Sequence, residues 1–109
     1  MSATHVLIHR HTPGVGPQPG TPEHDAEMRE WQRIDGELRN SGVLVDAFAL
    51  QDLGSRVTGD TSSAIDATDG ELVFAVHAIA ATDDAHAQAV ARQMPSASYG
   101  SIEVRPVMA

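Results

Sequence analysis

The stretch Glu71-Leu72-Val73-Phe74-Ala75-Val76-His77-Ala78-Ile79 decides the fold. It carries the strongest strand signal in the chain, rich in apolar and β-branched residues over the length of one strand. Alternation sends Leu72, Phe74 and Val76 to one face and Val73, Ala75 and Ile79 to the other. Both faces are apolar, which is the pattern of a strand covered on two sides.

Outward from this strand the chain alternates between strands and helices. Upstream, Gly59–Gly70 is rich in Gly, Asp, Ser and Thr and reads as loop, with Arg56-Val57-Thr58 as a short edge piece. Val43–Leu50 reads as a strand. Before it, Thr21-Pro22-Glu23 is a helix start: Thr caps free N–H groups, Pro at the first position loses no bond, and Glu23, Asp25 and Glu27 suit the positive dipole end. Met28, Trp31, Ile34 and Leu38 follow at helical spacing, and Gly42 supplies a left-handed stop, so a helix is predicted over 22–40. His5–Arg10 is a further strand. It runs into a proline- and glycine-rich loop, His11–Gly20, expected to lie as a flap over the end of the sheet. Downstream, a helix is expected from Asp83 to Gln93, capped by Thr82 or Asp83 and ended before Pro95. Ser101–Val107 is the last strand, with Pro106 arguing for an edge.

The order strand, helix, strand, strand, helix, strand predicts an α+β fold, a ferredoxin-like βαββαβ sandwich in one domain spanning 1–109. Its spatial strand order is last, first, third, second. Two helices cover one face of such a sheet. The apolar second face of Leu72–Ile79 then calls for another cover, and a second copy of the chain is the simplest, so a homodimer is expected.

Composition narrows the functional classes. The 109 residues carry 15 acids against 7 bases, all of them Arg, for a net charge of −8. Such a field repels a phosphate backbone, so no nucleic-acid partner is expected. There is no cysteine, which removes disulfides, thiol catalysis and Cys-based zinc sites. No window reaches the roughly 20 apolar residues of a membrane span, and Met1–Arg10 has no signal-peptide core. A cytoplasmic protein without a membrane partner is the expectation.

The tail Tyr99-Gly100-Ser101-Ile102-Glu103-Val104-Arg105-Pro106-Val107-Met108 resembles the closing strand of the YCII-related family, in its DGPF-domain branch. Val6-Leu7-Ile8-His9, Glu37–Leu44 and the Asp83–Pro95 helix sit in compatible places. The resemblance implies a dimeric α+β barrel, two sheets packed face to face with helices outside, and small-molecule chemistry of lyase or isomerase type. Three features depart from the family, one being that the Gly59–Gly70 loop is short for its hairpin. Asp69-Gly70-Glu71-Leu72 stands where the Asp-Gly-Pro-Phe signature would be, and Trp31 occupies the position of the family's first-helix histidine.

Six histidines stand out in so short a chain. Parity puts His5, Leu7, His9 and His11 on one face of the first strand. In the expected sheet His9 comes near Glu103, and His5 near His77. A His–carboxylate pair orients an imidazole and raises its basicity, so His9 and Glu103 are the candidate catalytic pair for proton abstraction beside a carbonyl. Arg105, two residues on, could hold a carboxylate or enolate through its fork. Trp31, Asp35, His77 and Arg105 are the candidate substrate-binding residues, with Trp31 as a wall of a cleft between helix and sheet. The same residues also suit a non-catalytic ligand-binding domain with structural histidines, so whether the chain is an enzyme stays open. His9-Arg10-His11 has a spacing some metal sites use, but no third ligand is specified, and neither a metal nor a cofactor is expected. His24 and His86 read as surface residues.

Overall fold

The strand over 72–79 forms inside a four-stranded antiparallel sheet. In the computed structural model, which describes residues 2–108, the elements are β1 (His5–His11), α1 (Pro22–Asn40), β2 (Leu44–Ala49), β3 (Gly54–Thr58), β4 (Thr61–Ile65), β5 (Leu72–Ile79), α2 (Asp84–Arg92) and β6 (Ser101–Pro106). The main sheet has the order β2-β5-β1-β6, with β1 and β5 central. The fold is therefore α+β, and its element order is compatible with a ferredoxin-like arrangement.

Local chemistry sets the helix limits. Thr21 accepts the His24 N–H, and Pro22 fills the first position of α1. At the far end Gly42 adopts φ 78°, the left-handed region that glycine reaches without a Cβ clash. Asp83 caps α2 through the His86 N–H at 2.7 Å. Both helices lie on one sheet face. There Leu7, Ile34, Ile79, Val90 and Met94 are at most 2% exposed and form the core. Burying each such side chain contributes about 1.5–3 kcal/mol, so this single layer supplies most of the apolar stabilisation.

Two features depart from the sequence reading. Residues 59–70 are not a simple loop: β3 and β4 pair as a separate two-stranded ribbon around Gly59-Asp60. Its register is regular, but nearly all its side chains are exposed, so it lacks the buried alternation that marks a strand in sequence. The second departure is a β-bulge. His9 pairs with Ala75 and Arg10 with Val73, leaving Phe74 as an extra residue in β5. The bulge breaks the parity expected along β5. Leu72, Ala75, His77 and Ile79 share the helix side with β1 partners His11, His9, Leu7 and His5, and the Phe74 ring also turns toward His9 and His11. Val73 and Val76 remain on the opposite face.

Gly100 explains the glycine before β6. A Cβ there would lie 2.2 Å from the Arg10 carbonyl oxygen. Only a residue without a side chain lets the chain pass β1 so closely.

Candidate functional site

The sheet face under α1 carries the histidines. Strand β1 sends His5, Leu7 and His9 toward the helices, and β5 sends His77 beside His9, because His77 opposes Leu7 across the ladder. Asp35 comes from the middle of α1, one turn beyond Trp31. Ser96 comes from the single 3₁₀ turn Pro95–Ser98 that follows α2. These four side chains form one continuous line of hydrogen bonds. Ser96 Oγ lies 3.0 Å from His9 Nδ1, His9 Nε2 lies 2.9 Å from His77 Nδ1, and His77 Nε2 lies 3.1 Å from Asp35 Oδ1. His9 and Ser96 are fully buried, His77 is 4% exposed, and the Asp35 side chain is one-third exposed. The line thus runs from the core to solvent.

Aromatic rings close around it. The Trp31 ring stands edge-on to His9 at 5.6 Å and stacks on His77 at 5.8 Å, and the Phe74 ring meets His9 at 5.7 Å. Burial, followed by the neighbouring His77, pushes the His9 imidazole down from 6.5 to about 3, so His9 is neutral near pH 7. Proton bookkeeping then fixes the directions. With Asp35 as a carboxylate, His77 donates from Nε2, leaving Nδ1 to accept from His9 Nε2–H, while Ser96 donates to His9 Nδ1. Every imidazole nitrogen of the line is satisfied.

The outer end of the line opens into a cleft of about 530 Å³ between α1 and the sheet. Trp31, Asp35, Phe74, His77 and Tyr99 line it, and the loop over 14–19 forms one side. Chain positions predicted for a flap thus border the cleft. Gly16 packs on the Tyr99 ring so closely that a Cβ would lie 2.7 Å from it. Burial, together with a hydrogen bond to Glu27, drives the Tyr99 hydroxyl well above its ordinary range. The His11 ring meets Phe74 tilted at 4.4 Å; its Nε2 is buried with no hydrogen-bond partner, 3.6 Å from Asp52 Oδ1.

No family model and no curated protein matches this chain. Its site therefore rests on geometry.

Of the residues expected to carry chemistry, His9, His77, Asp35 and Trp31 come together, and Glu103 and Arg105 do not join them. Strand β6 sets Ile102, not Glu103, opposite His9, and Glu103 falls opposite Ile8 on the other sheet face. There Glu103 pairs with Arg10, whose guanidinium holds the carboxyl below its ordinary range, and Arg105 lies 3.6 Å from it. The expected His9–Glu103 pair is one residue out of register. His5 shares the face with His77 but bonds elsewhere: it opposes Ile79 and binds Thr4 Oγ1 at 2.8 Å and Asp84 Oδ1 at 2.7 Å, tying β1 to the start of α2. Both nitrogens of His9 are engaged, so it is not free to pair with His11 on a metal, and no group of three or more His, Asp or Glu gathers for one among the described residues. His24, expected at the surface, is partly exposed there and borders the cleft. Ser96, Tyr99 and Phe74 escaped the sequence reading. A serine after Met94-Pro95 has no signal that marks it as buried, and Phe74 reaches the cleft through the bulge. No helix among the described residues is long and apolar enough to cross a membrane.

Proposed function

We propose that this chain is a YCII-like small-molecule protein that performs cofactor-free acid–base chemistry, of lyase or isomerase type, in the cleft between α1 and the sheet. The observation that carries it is the line Asp35–His77–His9–Ser96, which ends on a carboxylate at an aromatic-walled cleft. Both nitrogens of His77 and His9 are used within the line, so the proton acceptor toward substrate is Asp35, through Oδ2. Asp35 takes a proton from carbon beside a carbonyl, and the C–H electron pair moves into the carbonyl as an enolate. His77 holds the carboxylate in place by donating from Nε2. His11, which lines the cleft and whose Nε2 makes no hydrogen bond, is the donor assigned to the enolate oxygen. Return of the proton to another carbon gives an isomer; loss of a β-substituent with its electron pair gives an alkene.

Solvent exchange tests this. Small ketones and aldehydes incubated with the protein in D₂O are followed by NMR for loss of the α-C–H signal. Catalysed exchange is expected, and Asp35→Asn should slow it by about 10²-fold or more. Exchange unaffected by Asp35→Asn, or none above buffer, would overturn the catalytic reading in favour of a non-catalytic ligand-binding domain. The same proposal takes the protein as a cytoplasmic homodimer. Supporting the dimer, no helix covers the second sheet face, where Val6, Ile8, Val73 and Val76 are only half-buried and Phe48, paired with Val76, is 60% exposed.

A further inference from the structure

We propose that the cleft binds an apolar-bodied organic ammonium ion and rejects carboxylates and phosphates. This rests on the acid–base reading only in taking the same cleft as the working site. The charge inventory of the lining carries it. Glu27, Asp35 and Asp52 border the cleft, and none of the seven Arg does. Elsewhere the molecule spends Arg on its carboxylates: Arg10 on Glu103, and Arg33 on both Glu30 and Glu37. The cleft carboxylates have weaker company. Glu27 faces the Tyr99 hydroxyl, Asp35 binds His77, and Asp52 faces His11 at 3.6 Å. No permanent cation offsets them.

A carboxylate or phosphate ligand would want an Arg fork or free helix N–H groups. The α1 N-terminus beside the cleft begins with Pro and carries Glu23 and Asp25 in its first turn, which opposes an anion there. An ammonium group gains on every count. Its charge meets the half-exposed Asp52 and Glu27 at the rim. Its body packs on Trp31, Phe74 and Tyr99, whose ring faces attract cations. Asp35 stays free for proton transfer. The cleft volume of about 530 Å³ suits a ligand of ordinary small-molecule size.

Trp31 is the only tryptophan, so its fluorescence reports occupancy directly. Three probes of one shape separate the charge effect: 2-phenylethylammonium, 2-phenylethanol and 3-phenylpropanoate, titrated at low salt. The ammonium is expected to bind roughly tenfold more tightly than the carboxylate, with the alcohol between them. Added salt should narrow the gap. Glu27→Gln with Asp52→Asn should collapse it, and Asp52→Asn alone, at an exposed position, should reduce it in a protein that keeps its wild-type circular dichroism. Carboxylate binding as tight as ammonium binding, alcohol binding equal to it, or no response to any probe would each overturn the proposal. None of those results bears on Asp35-dependent exchange, so the two readings fail separately.

Discussion

His9 shows how far burial can change what a residue does. It sits at 0% exposure with both nitrogens bonded, and its imidazole is held near 3 against 6.5 in the unfolded chain. Between those values the unfolded chain binds a proton that the folded chain does not. Stability therefore rises with pH in that window and is lost as pH falls from about 6.5 toward 3, by roughly 1.4 kcal/mol per pH unit for one proton. Urea unfolding at a series of pH values should show this slope, and His9→Gln should flatten it. An unchanged slope in the variant would assign the acid sensitivity elsewhere. Parity in the sequence placed His5, Leu7 and His9 on one face correctly, because β1 is regular over those positions. Their partners were not legible. The Glu103 assignment failed on a single step of register between Glu103 and Ile102, and register depends on contacts made across the whole sheet.

Among the elements, α1 was readable in full, from the Thr21 cap to the Gly42 stop, since each boundary is set by local chemistry. The β3–β4 ribbon was not, because nothing buries one of its faces: every residue of β3 is exposed, and in β4 only Ile65 is partly covered. Polar strands of this kind leave no alternation to read. A two-stranded ribbon is marginal in water on its own. Amide hydrogens of residues 54–65 should therefore exchange far faster than those of β1 and β5, and mass-spectrometric exchange on peptide fragments resolves the two. Protection of the ribbon equal to that of β5 would mean that it folds with the main sheet as one unit.

Across the whole molecule the chain forms a flat body, 41 × 39 × 18 Å, with its helices on one side of the main sheet. One layer of helix on one layer of sheet protects a single core, and the half-buried valines and isoleucine of the far side are the surface that the proposed dimer would cover. Light scattering should give a mass near twice the 11.5 kDa of one chain. Val76→Lys, which places a charge at the centre of that face, should return it to a monomer with unchanged far-ultraviolet circular dichroism. A wild-type monomer at micromolar concentration would remove the face-to-face barrel. The bulge in β5 acts at this scale too. By letting Phe74 and Ala75 both serve the helix side, one surplus residue sets an extra aromatic ring against the cleft. Deleting Phe74 should straighten the strand and strip that ring from the cleft while sparing the scaffold, so the fit of a guest is a trait this architecture gains or sheds in one codon.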